Sequence, residues 1–121
     1  MGREASFGEF VRSCRELKAD GGEKGFSLRK LAERVGIEPS YLSKIERGQQ
    51  PPPGEETISR IAEELGEDPD VMLAMGGKVS SDLLEVIRSR PRLFADLIRE
   101  LKNTPDKAVL RLVREVRDGE W

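Results

Sequence analysis

The stretch "GIEPSYLSKIERGQQPPP", Gly36 to Pro53, constrains the fold more tightly than any other part of the chain. Pro39 opens a short apolar pattern of Leu42 and Ile45, Gly48 closes it, and three prolines follow. Proline suits the first turn of a helix, where its missing N–H is not needed, and it halts a helix that would run into it. Glycine just past the last turn accepts the left-handed conformation that ends a helix. The segment is therefore expected to be a helix of about two turns, fenced at both ends. Its outer side carries Pro39, Ser40, Ser43, Lys44 and Arg47, which suits presentation to something outside the core.

Apolar residues recur at helical spacing along nearly the whole chain, and no stretch alternates with period two over strand length. Phe7, Phe10, Val11, Cys14 and Leu17 form one stripe, giving a first helix from Phe7 to Lys18. The following "ADGGEKGF" breaks the pattern and reads as a mobile, solvated loop. Ser27 can cap a second helix, with a core face of Leu28, Leu31, Ala32 and Val35 and a stop at Gly36. After the prolines, Ile58, Ile61, Ala62 and Leu65 mark a fourth helix closed by Gly66. Asp68-Pro69 opens a fifth through Val71, Met72 and Met75. "GGKVSSD" reads as a hinge. Three more helical patterns follow, over Asp82 to Ser89, Arg92 to Lys102 and Pro105 to Arg117. In the last, Thr104 is expected to cap, with Pro105 in the first turn and Asp106 near the positive end of the dipole. The expected fold class is all-α: a five-helix domain over residues 1–77 and a helical tail over 78–121.

With 121 residues, 36% of them hydrophobic, one domain plus an appendage can bury a core without staples. The single cysteine, Cys14, excludes an internal disulfide, fits a reducing cytoplasm, and sits among apolar positions as a buried, unreactive thiol. With no histidine, the commonest zinc sites and any Ser-His or Cys-His nucleophile are excluded. Adjacent acids such as Glu55-Glu56 and Glu63-Glu64 point in different directions on a helix and read as a solvated face. Gly21-Gly22 and Gly76-Gly77 lack the spacing of a phosphate loop. No enzyme activity, cofactor or metal is expected. No apolar run approaches bilayer length, and the start "MGREASFGEF" is charged and mixed, so a cytoplasmic protein without membrane contact is expected.

Two short helices joined through "VGIEP" have the layout of a helix-turn-helix. Gly36 is placed for the positive φ of the turn, and Ala32 is small enough for close helix approach. Val35, Ile37, Leu42 and Ile45 would hold the crossing angle. Polar tips near one helix N-terminus suit the major groove, which admits an α-helix. On these residues, "SLRKLAERVGIEPSYLSKIERGQQPPP" followed by "TISRIAEELGEDPDVML" resembles the Xre-type DNA-binding domain of the lambdoid phage repressors and Cro. The likeness runs from Phe7 to Gly76. It implies that Pro39, Ser40, Ser43 and Lys44 face bases, and that Tyr41 and Arg47 lie near phosphates. It further implies that Arg15 pairs with Glu46, tying the first helix to the third. The open N–H groups of the helix that Ser27 begins, with Arg29, can hold a phosphate. Gln49 and Gln50 can bond to backbone oxygens. Such contacts set position, whereas Ser40, Ser43 and Lys44 would carry sequence choice, Lys44 through guanine O6 or N7. The sequence departs from the family in "ADGGEKGF", a longer connection than usual, in which Lys24 is a further candidate for a phosphate.

The net charge of −2 argues against a general nucleic-acid coat. Its distribution matters more: Arg29, Lys30, Arg34, Lys44 and Arg47 surround the expected reading surface, while Glu55, Glu56, Glu63, Glu64, Glu67, Asp68 and Asp70 lie elsewhere. In the tail, Leu93, Phe94, Leu97, Ile98 and Leu101 form one stripe and Val109, Leu112, Val113 and Val116 another. A second copy of the chain is expected to cover them in a C2 homodimer, with two recognition helices about one DNA turn apart, roughly 34 Å. The expected function is a sequence-specific transcriptional regulator, a repressor on a double-stranded operator of two half-sites. The alternative is an antitoxin whose tail binds a toxin as protein partner while the DNA-binding domain regulates its own expression.

Overall fold

The computed structural model describes residues 6–121. Among them the chain is all-α, with eight helices and no strand: α1 (Phe7–Asp20), α2 (Leu28–Val35), α3 (Pro39–Glu46), α4 (Glu55–Leu65), α5 (Pro69–Met75), α6 (Ser81–Ser89), α7 (Pro91–Leu101) and α8 (Asp106–Asp118). They fall into two compact units, divided between Ser80 and Ser81. The first unit extends past Gly77 because the glycine-rich segment folds back on α5. Gly77 N–H donates to Ala74 O and Lys78 N–H to Leu73 O, each at 2.9 Å.

α1, α2 and α5 begin where a side chain satisfies an open backbone donor. Ser6 and Glu9 form a reciprocal capping box at α1, with Ser6 Oγ accepting from Glu9 N–H at 3.2 Å and Ser6 N–H donating to Glu9 Oε2 at 3.4 Å. Ser27 Oγ accepts from Lys30 N–H at 3.2 Å to open α2, and Asp68 Oδ1 accepts from Asp70 N–H at 2.8 Å to open α5. The turn from α2 to α3 depends on Gly36, at φ 87° and ψ 31°. Its N–H and that of Ile37 both donate to Ala32 O, at 2.9 and 3.0 Å. A side chain would strain that left-handed conformation.

The core of the first unit joins Phe7 and Val11 of α1 to the inward faces of α2 to α5. Leu31, Leu42, Ile45, Ile58, Ile61 and Leu65 are fully withdrawn from water, each contributing about 1.5–3 kcal/mol of burial. α2 packs on α3 and α4, α1 on α3 and α4, and α5 on α4. Where α1 meets α3 the contact is backbone to backbone. A Cβ on Gly8 would stand 2.2 Å from Ile45 O and 2.8 Å from Glu46 O.

Four expectations need correction. Leu17 leaves the α1 stripe and is 72% exposed. Lys18 takes the inward position, one turn beyond Cys14, with its Nζ 5.3 Å from the Phe26 ring centre and 3.6 Å from Glu23 Oε2. Val71 is exposed, and α5 buries Met72 and Leu73 instead. The "ADGGEKGF" loop is pinned at its far end: Phe26 packs on the core, with the Arg34 guanidinium 4.9 Å from its ring centre. Thr104 does not cap α8. Its hydroxyl donates to Glu100 O at 2.6 Å and closes α7, and Pro105 takes the position before α8 without a side-chain cap.

In the second unit α6 packs on α7, and none of its three helices buries a residue. Phe94, Leu101, Val109 and Leu112 are half-buried, while Leu93, Leu97, Ile98, Val113 and Val116 are exposed. No helix among the described residues is long and apolar enough to cross a membrane.

Gly8→Ala should lower the stability of the first unit by about 1–3 kcal/mol, the usual cost of overpacking. Urea unfolding checks this: the midpoint falls with little change in slope.

Candidate nucleic-acid interface

α3 is short enough that almost every residue has one task. Leu42, Ile45 and Glu46 are buried, Pro39, Tyr41 and Ser43 are half-buried, and Ser40, Lys44 and Arg47 are exposed. Leu42 and Ile45, three apart, hold one face on the core, so Ser40 and Lys44, four apart, share another. Pro39 occupies the first turn. Tyr41 packs against the core rather than extending fully into water.

The buried carboxylate of Glu46 meets the Arg15 guanidinium of α1. Arg15 Nε donates to Glu46 Oε2 at 2.8 Å and Nη2 donates to Oε1 at 2.9 Å. The two side chains are only 12% and 4% exposed. Arg15 Nη1 also donates to Phe26 O at 3.2 Å. The bonds to Glu46 hold the guanidinium more firmly protonated, against the desolvation that acts to loosen its proton. A bidentate pair of this kind fixes direction as well as distance, so α3 cannot rotate on the core without breaking it.

The chain beyond α3 returns to its last turn. Gln49 N–H and Gln50 N–H both donate to Lys44 O, at 2.8 and 3.3 Å, which keeps these exposed glutamines beside the helix end. Arg47 Nε donates to Ser43 O at 3.3 Å. Ser27 and Arg29 lie exposed at the start of α2. Ser27 Oγ is engaged by the Lys30 N–H, and further N–H groups of that first turn have no partner within the helix.

Arg34 does not join this surface as a free charge. Its Nε donates to Glu64 Oε2 of α4 at 2.7 Å, and Nη1 donates to the Gly25 carbonyl. Lys24 is exposed in the loop.

Two residues near α3 escaped the sequence reading. Arg12 lines a shallow cleft with Arg15, Leu28, Ser43, Glu46 and Arg47, and its Nε donates to Glu16 Oε1 at 2.8 Å. That bond strengthens its hold on the proton. The signal was present, since Arg12 precedes Arg15 by three residues and such positions share a helix face. Glu38, the residue just before α3, carries no signal of its own in the sequence, where Pro39 suffices to start the helix. Its carboxylate is exposed and caps nothing.

Among the described residues no group of three His, Cys, Asp or Glu side chains is placed to hold a metal. Cys14 Sγ donates to Glu67 Oε1 at 3.5 Å. Burial, then the neighbouring Glu67 charge, push the thiol up to about 11, so it stays protonated at neutral pH.

Residues 17–72 match the family model described as Helix-turn-helix. An uncharacterised HTH-type transcriptional regulator of Mycobacterium tuberculosis is 37% identical over 70 residues, which make up 58% of this chain and 45% of that protein. The HTH-type transcriptional regulator SinR of Bacillus subtilis is 45% identical over 40 residues, 33% of this chain and 36% of SinR. The chain spans less than half the length of these curated relatives. The solved SinR protein/SinI protein complex aligns at 23% identity with a TM-score of 0.45, over 81% of this chain and 99% of that chain.

Arg15→Met and Glu46→Leu should each cost about 3–5 kcal/mol, because each strands a buried polar or charged partner. The double substitution should cost far less than the sum. Urea unfolding of the four proteins in the cycle measures the difference.

Proposed function

We propose that the chain, whose residues 17–72 match the helix-turn-helix family model, is a site-specific DNA-binding transcriptional regulator of the Xre type. The observation that carries this reading is the division of α3: Leu42, Ile45 and Glu46 bind it to the core while Ser40, Lys44 and Arg47 remain in water. A helix held that way can enter the major groove with its polar side toward base edges. Pro39, Ser40, Ser43 and Lys44 read bases, with Lys44 donating to guanine O6 or N7. Ser27 and Arg29 at the start of α2 hold one phosphate, using the open N–H groups of that turn. Tyr41, Arg47, Gln49 and Gln50 touch the backbone nearby and fix register. Four bases, Arg29, Lys30, Lys44 and Arg47, supply the positive surface that a chain of net charge −2 needs locally.

The regulator acts as a repressor and binds two half-sites as a homodimer through α7 and α8. Two features support this arrangement. The second unit, Ser81 to Trp121, is close to the size below which a domain usually needs disulfides, metal or association, roughly 40 residues. It also buries none of its own apolar residues. A covering layer from a second copy removes Leu93, Leu97, Ile98, Val113 and Val116 from water. The same exposed stripes fit a second reading, an antitoxin-like chain whose tail receives a different protein.

Lys44→Ala should weaken binding to the preferred duplex by about 1–3 kcal/mol and relax the choice of base at one position. Arg29→Ala should weaken all duplexes alike and reduce the salt slope by about 1. Quantitative gel-shift titrations at several salt concentrations separate the two effects. Unchanged selectivity in the Lys44 variant would mean that the reading face lies elsewhere.

Sedimentation equilibrium at micromolar concentration should give twice the 13.6 kDa chain mass, and Leu97→Asp with Val113→Asp should return it to one. A single-chain mass for the unaltered protein removes the homodimer and leaves the partner-binding reading.

A further inference from the structure

We propose that Glu38 is a specificity-determining residue that accepts a hydrogen bond from a cytosine amino group in the major groove. The assignment rests on the DNA-reading role of α3 given above. Glu38 stands at the entry to that helix, at φ −69° and ψ 139°, and its carbonyl accepts from Tyr41 N–H and Leu42 N–H at 3.0 and 3.1 Å. The first unit opens three other helices with Ser6, Ser27 and Asp68, whose side chains each accept a backbone N–H. Glu38 accepts none. It is exposed, and among the described residues it forms no salt bridge. The fold therefore makes no use of this carboxylate, at a position where serine or aspartate would hold the helix better.

A carboxylate next to DNA is repelled by phosphates, so its place on a reading helix needs a donor to offset that repulsion. Ionised glutamate only accepts hydrogen bonds. In the major groove the amino donors are cytosine N4 and adenine N6. Adenine presents N6 beside the acceptor N7, a pair suited to an amide side chain, whereas cytosine N4 presents a donor alone. The acid thus matches cytosine. Lys44, six residues further and about 9 Å along the axis, matches guanine. One helix then carries an acceptor at its entry and a donor near its end, both within reach of a single half-site.

The test is a selection of bound sequences from random duplexes, followed by titrations of Glu38→Gln and Glu38→Ser. The serine variant can cap α3, so loss of fold does not confuse its result, and thermal melts check both. The unaltered protein should enrich dC at one position of each half-site. The serine variant should lose that preference and bind the selected duplex roughly 5- to 150-fold more weakly, whereas the glutamine variant, whose amide adds a donor, should move the preference toward dA. Both should bind random duplex more tightly, since one negative charge has left the phosphates. Changing that dC·dG pair should then weaken the unaltered protein and leave the serine variant indifferent. If affinities for selected and random duplex rise together, Glu38 only repels the backbone and the assignment is overturned. Retention of the dC preference in the serine variant overturns it too. An unaltered protein that enriches no sequence at all overturns the DNA-reading role itself, and the assignment with it.

Discussion

A guanidinium and a carboxylate, both almost wholly out of water, set the angle at which α3 leaves the core. Arg15 and Glu46 share two bonds of 2.8 and 2.9 Å, and the third bond of Arg15 runs to Phe26 O. The desolvation each group suffers is large, and only near-ideal geometry offsets it. Such a pair is a weak source of net stability and a strong source of orientation. Gly8 makes the geometry reachable, because α1 and α3 touch backbone to backbone there. Phe26 holds the carbonyl in place by packing on the core, with Arg34 at its ring and Glu64 binding Arg34 in turn. The exposed residues of α3 are thereby fixed through four helices rather than by local propensity.

The two halves of the chain manage apolar surface in opposite ways. The first unit withdraws its leucines and isoleucines into one cluster and leaves charge outside. The second has comparable amphipathic helices but buries no residue of α6, α7 or α8. Surface of that kind costs free energy in water in proportion to its area, and a partner layer removes the cost. The contrast is one of packing: the first unit covers its own apolar faces, whereas the second leaves them in water.

Much of the first unit was legible because its punctuation acts locally. Ser27, Gly36, Pro39, Gly66 and Asp68 fix helix ends through their own local chemistry, and each stands where its residue type demands. Three-dimensional competition was not legible. Leu17 looked like core until Lys18 took the inward position beside Phe26. Arg34 looked like part of a basic surface until Glu64, thirty residues away, claimed it. Thr104 looked like the cap of the helix after it and closes the helix before it. In each case two partners were chemically acceptable, and only the packed arrangement chose between them. The outer face of α3 stood out for the converse reason, since Leu42 and Ile45 leave Ser40 and Lys44 one side only.

Cys14 gives the molecule a built-in reporter. Its thiol lies against Glu67, beyond α4, and keeps its proton up to about pH 11, which leaves few thiolates to attack anything while α1 stays docked. Capture by a disulfide reagent is therefore slow in the docked state and quickens when α1 lifts away and the thiol recovers ordinary acidity. With a single sulfhydryl in the sequence, any rise in the trapping rate reports on α1 alone, without any added label.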